Sequence, residues 1–266
     1  MSEYLIILIL GIVQGLTEFL PVSSDGHLEL AKYFLGDHSS AVDSLQLTVI
    51  LHMATALSIL FVFRKRILEL IKGLFNSSDK TSKTFSTHIL ISMIPAAIVG
   101  LFFEKQVSEL FNGKIMFVAC MIFTNGLILM LGHYRTLATG SNSNWKSFMM
   151  GISQAVAILP GISRSGSTIA TASLTNFERN EAISFSFLMV VPLILGKIAK
   201  DIMEGGMMVS SYSLSAVLLG FVTAFVTGVL ACGWMLTLVR NTKMNYFAWY
   251  CIVLGAGLII YLLLNR

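Results

Sequence analysis

Gly11-Ile12-Val13-Gln14-Gly15-Leu16-Thr17-Glu18-Phe19-Leu20-Pro21-Val22-Ser23-Ser24-Asp25-Gly26-His27 decides the fold, because an apolar helix breaks there into a polar turn. About 140 residues further on the pattern returns. Gly151-Ile152-Ser153-Gln154 leads into Pro160-Gly161-Ile162-Ser163-Arg164-Ser165-Gly166-Ser167. The two copies lie in apolar stretches of about 4–35 and 148–175, each split by its turn into pieces of about 10–17 residues. As helix, such a piece runs roughly 15–25 Å, short of a hydrocarbon core of about 30 Å. Irregular backbone survives at that depth only where protein or a polar cavity satisfies it. Paired broken helices meeting near the midplane are places where ions and anionic groups are handled. The form expected of each copy is a helix, a turn at membrane depth, and a short helix back to the same side.

The rest of the chain fits that reading. Of its 266 residues, 55% are apolar and 12% charged, against about 25% charged in a soluble domain. Six segments are long and apolar enough to span: about 44–63, 87–103, 115–133, 182–199, 214–238 and 246–264. The run after Met1-Ser2-Glu3-Tyr4 has no basic region before it and no small-residue cleavage site, so it reads as a retained helix. A net charge of +4 is too small to argue for nucleic acid. Cys120, Cys232 and Cys251 lie in apolar spans without metal-ligand spacing and read as packing.

Loop charges set the orientation. Arg64, Lys65, Arg66, Lys72, Lys80 and Lys83 form the densest basic run, which places that loop in the cytoplasm. Counting spans outward puts 104–114 outside and Arg135, Lys146, Arg179, Arg240 and Lys243 inside. Lys197 and Lys200 fall outside, partly offset by Asp201 and Glu204. Each half, about 1–140 and 141–266, is then a broken pair plus three spans, and an odd number of crossings inverts the second half. The expected fold is an all-α polytopic membrane protein in one domain. It has six transmembrane helices and two re-entrant helix-turn-helix pairs in an inverted-topology repeat.

Chemistry concentrates at the two turns. Gln14 and Glu18 are four apart and share a helix face. An ionised Glu in hydrocarbon costs about 2.5–3.5 kcal/mol on insertion, which points to an interface position or to a polar cavity where Glu18 is a metal ligand or base. Ser23, Ser24 and Asp25 are ordinary N-caps, and the helix N-terminus they open is also a seat for phosphate, with Gly26 allowing close approach. His27, in the first turn of that helix, is placed for acid/base work. Arg164 supplies a planar fork for phosphate oxygens, or a structural ion pair to Glu18. Ser163, Ser165, Ser167 and Thr168 add hydroxyls around it, and Gly161 and Gly166 let the backbone approach a ligand. His52, beside Thr55, is placed to line the cavity but reads first as a packing histidine; Glu29 and Lys32 either pair locally or snorkel. One carboxylate, one serine, one histidine and one arginine describe phosphoryl chemistry better than transport of a neutral solute.

Gln14-Gly-Leu-Thr-Glu18-Phe-Leu-Pro-Val-Ser-Ser-Asp-Gly-His27 and Pro160-Gly-Ile-Ser-Arg164-Ser-Gly-Ser-Thr168 together resemble the undecaprenyl-diphosphate phosphatases of the bacitracin-resistance (BacA/UppP) family. Ile94-Pro95-Ala96-Ala97 and Phe185-Ser186-Phe187-Leu188 leading to Pro192 extend the similarity over essentially the whole chain. The resemblance implies a bacterial plasma-membrane phosphatase that converts undecaprenyl diphosphate to the monophosphate carrier of cell-wall synthesis. It implies roles for Glu18, Ser24, His27 and Arg164. It also implies assistance by a divalent metal, Mg²⁺ or Ca²⁺, with Gln14 at a Glu/Gln position and Asp25 where Thr or Ser is common. Gln14 removes one possible carboxylate, and Asp25 is a candidate to restore a negative ligand close by.

The mechanism expected from these parts places the C55 tail in a lipid-facing groove and the diphosphate between the turns. Arg164 and the helix N-termini hold phosphate, Glu18 carries the metal, Ser24 attacks or positions a water, and His27 shuttles the proton. The cavity is expected to open to the extracytoplasmic face. The partners are the lipid substrate and the bilayer, with a homodimer as the alternative to a monomer. A polyprenyl-phosphate transporter is the rival function, separated only by turnover. A type 2 phosphatidic-acid phosphatase fails on its second motif, because position 170 is Ala where a His is needed.

Overall fold

Leu20 leaves helical geometry at ψ 146°, as the residue before a proline tends to do, and ends the first helix ahead of Pro21. α1 is therefore Glu3–Phe19 and α2 Ser24–Leu35, with Gly36 closing α2 in the left-handed region. The computed structural model describes residues 2–36, 41–111, 113–134, 142–203, 212–240 and 244–265, and all regular structure among them is helical. α3 is Ala41–Val62, α4 Arg64–Phe75 and α5 Lys80–Phe102, followed by α6, Glu104–Ser108, and a single 3₁₀ turn. After α7, Ile115–His133, the second broken pair is α8, Asn144–Val156, and α9, Arg164–Leu174. α10, Arg179–Leu188, α11, Val191–Met203, α12, Leu214–Arg240, and α13, Met244–Leu264, complete the order.

Among the described residues, five helices are long and apolar enough to cross a membrane: those over Asp43–Val62, Lys80–Phe102, Ile115–His133, Leu214–Thr237 and Met244–Leu264. The expected span 182–199 is not one helix. It divides after Leu188, because Pro192 has no N–H to continue the ladder and sits instead in the first turn of α11. Pro95 is carried inside α5, so a proline alone does not dictate a break.

The basic stretch after α3 is partly helical. α4 turns Leu68, Ile71 and Phe75 outward, and its sequence interleaves them with Arg64, Lys65 and Lys72, a pattern suited to a bilayer interface. Asp79 caps α5, accepting from the Ser82 amide at 3.0 Å and the Ser82 hydroxyl at 2.7 Å, and these bonds hold its carboxyl below the ordinary value. Of the charges used for orientation, Arg135, Glu204 and Lys243 lie outside the described residues, as do the side chains of Arg179, Lys197, Asp201 and Arg240.

Packing is reciprocal between the two copies. α1 packs on α12 and α8 on α5, while α7 packs on α13. The repeated glycines make the first two contacts close. A Cβ on Gly11 would meet the Gly220 carbonyl oxygen at 2.7 Å, and one on Gly151 would run into the Ser92 carbonyl oxygen and the Pro95 ring. Small residues at such seams let membrane helices approach backbone to backbone. Phe19, at the end of α1, packs with Phe187 of α10 in the largest buried cluster, so the apolar core closes directly behind the first turn.

Candidate active site

Asn125, buried on α7, ties the two turns together. Its Nδ2 donates to the Pro21 carbonyl at 3.0 Å, and its Oδ1 accepts from the Ser163 amide at 3.0 Å. The turns also touch directly: a Cβ on Gly26 would lie 3.0 Å from the Gly161 Cα, and Gly161 itself holds φ 107°. Ser23 adopts φ 74°, uncommon for a residue with a side chain, and its hydroxyl caps α2 by accepting from Gly26 N at 3.2 Å. Ser163 does the same for α9, accepting from Gly166 N at 3.1 Å.

Because Ser23 takes the cap, the hydroxyl of Ser24, the first residue of α2, is not spent on capping. Ser24 Oγ donates to Glu18 Oε2 at 2.7 Å. The same oxygen accepts from Gln14 Nε2 at 3.1 Å and faces His52 Nε2 at 3.4 Å. Glu18 Oε1 is bonded to the Arg164 guanidinium. The geometry thus contains the ion pair that was one of the two readings of Arg164, and leaves its fork beside the same cavity as Ser24.

Arg164 reaches a second partner through the break in the expected sixth span. Its Nη1 donates to the Ser186 carbonyl at 3.4 Å. Ser186 lies in the last turn of α10, where the final four carbonyls have no partner within the helix. Thr168 holds the same element, its hydroxyl 2.6 Å from Ser186 Oγ.

Of the two histidines, His52 is the one that lines the cavity. His27 Nδ1 donates to the Ser23 carbonyl at 2.7 Å, its Nε2 lies 2.7 Å from the Tyr250 hydroxyl, and the two rings stack. It does not line the cavity that holds Glu18 and Ser24. His52 does. Its Nδ1 donates to the Thr48 carbonyl at 2.9 Å and its Nε2 sits 3.4 Å from Glu18 and 3.5 Å from Asp25. A lone histidine in a span carries no sequence signal for this; the partners come from separate helices. Lys32 and Glu29 pair at 3.0 Å as expected of them, and Lys32 also donates to Thr48 Oγ1 at 2.8 Å.

The hydroxyls expected to hold phosphate are largely committed to the turns. Ser165 Oγ donates to the Leu20 carbonyl at 3.3 Å, and Thr168 Oγ1 to the Arg164 carbonyl at 2.7 Å. Gly26 and Gly166 serve close packing, the latter against Pro21. Ser167 Oγ is buried without a hydrogen-bond partner. Of the expected set, Ser163 is the one that lines the cavity.

That cavity measures about 620 Å³. Glu18, Ser24, Asp25, His52 and Arg164 contribute to its polar part, and α5 and α11 supply apolar walls through Met93, Ala97, Leu101, Leu193 and Ile194. Lys200 and Glu104, joined as an ion pair, also line it. A polar head and a long apolar tail are the kind of ligand such walls accept.

Mg²⁺ and Ca²⁺ take oxygen ligands, and Glu18, Asp25 and Gln14 offer them. Gln14 Oε1 is buried with no hydrogen-bond partner, as an oxygen kept for a ligand would be. No three His, Cys, Asp or Glu side chains gather in metal-holding geometry among the described residues. Phosphate oxygens and water would therefore complete the shell, which is how Mg²⁺ is commonly held. On that donor chemistry the residues fit the ion.

The model of the bacitracin resistance protein BacA family matches residues 7–257. An undecaprenyl-diphosphatase of Christiangramia forsetii is 51% identical over 96% of this chain and 96% of its own length. Proteins of the same name in Bacteroides fragilis and Methanobrevibacter smithii are 39% and 36% identical, over 97% and 93% of this chain and 98% and 94% of theirs. With its motifs, its all-helical membrane architecture and this match, the chain belongs to the bacitracin resistance protein BacA family.

Proposed function

We propose that this protein is an undecaprenyl-diphosphatase, releasing phosphate from undecaprenyl diphosphate and returning the monophosphate carrier to cell-wall synthesis, with bacitracin resistance as a consequence. The observation that carries the reading is the Ser24 hydroxyl bonded to Glu18 at 2.7 Å, beside Arg164, in the polar part of a largely apolar cavity. The family membership and the names of the relatives support the same substrate.

In this reading the lipid tail lies along the α5 and α11 walls and the diphosphate enters between the turns. Arg164 exchanges Glu18 for a phosphate oxygen, because the guanidinium serves either anion. Glu18 is thereby released to take the Ser24 proton. Ser24 Oγ bonds to the terminal phosphorus as the bridging P–O bond breaks, and undecaprenyl phosphate leaves. Water then attacks the phosphoserine, the Ser24 Oγ–P bond breaks as Glu18 returns its proton to Oγ, and phosphate is freed. His52 keeps Glu18 and Asp25 in place, and His27 secures the Ser23 turn. When bound at Glu18, Asp25 and Gln14, Mg²⁺ or Ca²⁺ would supply charge neutralisation to the diphosphate.

The finer architecture belongs to the same proposal. The reciprocal packing of α1 on α12 and α8 on α5 supports two inverted halves within one domain, α10 and α11 together standing for the sixth crossing. The basic α4 stretch supports a cytoplasmic position for that loop, in a bacterial plasma membrane. The Ser24 half then enters from outside, which supports an extracytoplasmic opening. A homodimer is the proposed assembly, tested by particle mass in nanodiscs.

The deciding experiment is phosphate release from C55 diphosphate by purified protein, with and without EDTA. Metal-dependent release is the expected result. Binding without release would replace the enzyme by the transporter reading.

A further inference from the structure

Gln154 occupies in the second copy the place that Gln14 holds in the first, yet the two amides are treated differently. Gln14 Nε2 donates to Glu18 and, at 3.3 Å, to Thr55 Oγ1. Gln154 is only 2% exposed, and neither its Nε2 nor its Oε1 has a hydrogen-bond partner. A buried amide with both ends unpaired lowers stability, and an apolar side chain of equal size would fill the same space without that cost. Such a group calls for a reason other than packing. It fixes no element, because it is bonded to none.

Its position supplies the reason. Gln154, in the last turn of α8, and Ala157 and Ile158, in the turn that follows it, line the cavity that Glu18, Ser24 and Arg164 also line. α8 leads directly into the turn that carries Ser163 and Arg164. An amide offers two N–H donors and one carbonyl acceptor. A diphosphate offers acceptor oxygens throughout and, in its partly protonated state, a hydroxyl to donate.

We propose that Gln154 is a further binding residue for the diphosphate, with Nε2 donating to a phosphate oxygen and Oε1 accepting from a phosphate hydroxyl. The proposal rests on the cavity being the diphosphate site, as read under Proposed function. The second copy of the motif then contributes a neutral amide as well as the Arg164 cation. The amide N–H of the first copy is spent on the carboxylate, and the amide of the second is kept for the substrate.

The test uses the full-length protein in nanodiscs, with Gln154→Met as the near-isosteric apolar variant. Phosphate release from C55 diphosphate gives kcat and KM separately, and protection against thermal unfolding by inorganic pyrophosphate gives binding without turnover. The expected result is a KM raised about tenfold or more, the size of one lost bond to a charged group, with pyrophosphate protection weakened and the unliganded Tm raised. A raised Tm with reduced binding is the signature of a group held at the expense of stability. Wild-type KM and wild-type protection in Gln154→Met would overturn the proposal, whatever happens to Tm. If that variant fails to fold, Gln154→Asn, which withdraws the amide by one methylene, is read the same way: weakened protection supports the proposal and unchanged protection overturns it. Absence of phosphate release by the wild type would instead overturn the enzyme reading, while pyrophosphate protection still judges Gln154.

Discussion

The Glu18 carboxylate at the end of α1 is bonded to the Arg164 guanidinium in the first turn of α9, with 4% and 14% of their side chains exposed. Removing one member of a buried pair leaves the other charge uncompensated, at a cost of about 3–5 kcal/mol. Gln14, Ser24 and His52 still surround Glu18, so Arg164→Ala should fall at the lower end of that range. Phosphate release should drop about 10²–10³-fold, as for a lost transition-state donor. Arg164→Lys keeps the charge without the fork and should fall between. A double-mutant cycle with Glu18→Gln, read by thermal unfolding, should give a coupling of about 0.5–3 kcal/mol; strict additivity would deny the interaction.

His52 Nε2 stands between two carboxylates. Both ring nitrogens face acceptors: Thr48 O at 2.9 Å on one side, Glu18 and Asp25 at 3.4 and 3.5 Å on the other. His52→Leu removes the donor between two like charges, and phosphate release should fall about tenfold or more as their geometry is lost. His52→Gln restores a donor of similar reach and should recover most of that loss. Wild-type turnover in His52→Leu would return the ring to a packing role.

Asn125 holds both turns with one side chain, and it is fully buried. Asn125→Leu keeps the volume but strands the Pro21 carbonyl and the Ser163 amide, each costing about 1–3 kcal/mol. Asn125→Asp keeps the acceptor for Ser163 and loses the donor to Pro21, adding a buried charge. Thermal unfolding should rank wild type above both variants, and turnover should fall with the loss of alignment. An Asn125→Leu protein as stable as the wild type would show that the turns need no such tie.

These residues also mark how far the sequence could be read. Glu18, Ser24 and Arg164 stood out because charge and hydroxyl in an apolar, repeated context are costly unless used. Asn125 carried the same signal, a single amide inside a span, but no spacing links it to turns so far away in the chain. His52 gained its meaning only from Asp25 and Glu18 on other helices. The break between α10 and α11 was hidden because hydropathy runs on through it, and what it exposes, the Ser186 carbonyl, is backbone that every residue possesses. His27 shows the converse: it stands three residues after Ser24 on α2, yet its ring bonds the Ser23 carbonyl and Tyr250 and lies outside the lining of the cavity that holds Glu18 and Ser24.

Orientation can be tested on exposed loop positions. Ser78, between α4 and α5, and Lys114, just before α7, are both exposed. In a chain without native cysteines, Ser78→Cys should resist an impermeant thiol reagent in intact cells and react after permeabilisation. Lys114→Cys should react in intact cells. The reverse pattern would invert the whole protein and move the Ser24 half to the cytoplasmic side.

Metal dependence should follow the charge on the proposed donors. EDTA should suppress phosphate release, and Mg²⁺ or Ca²⁺ should restore it. Gln14→Glu puts a second carboxylate one helical turn from Glu18, and Asp25→Asn takes one away. Ligand charge is a main control of affinity for these ions, so the half-saturating metal concentration should fall in the first variant and rise in the second, each by about tenfold. Without metal, Gln14→Glu should also be less stable, because two buried carboxylates then repel; added Mg²⁺ should raise its Tm more than that of the wild type. That pairing of effects separates ligation from a general electrostatic change, which would alter stability without moving the metal requirement. Unchanged half-saturation in both variants would mean that the ion is held by the substrate alone, leaving Gln14 and Asp25 to order Glu18 and His52.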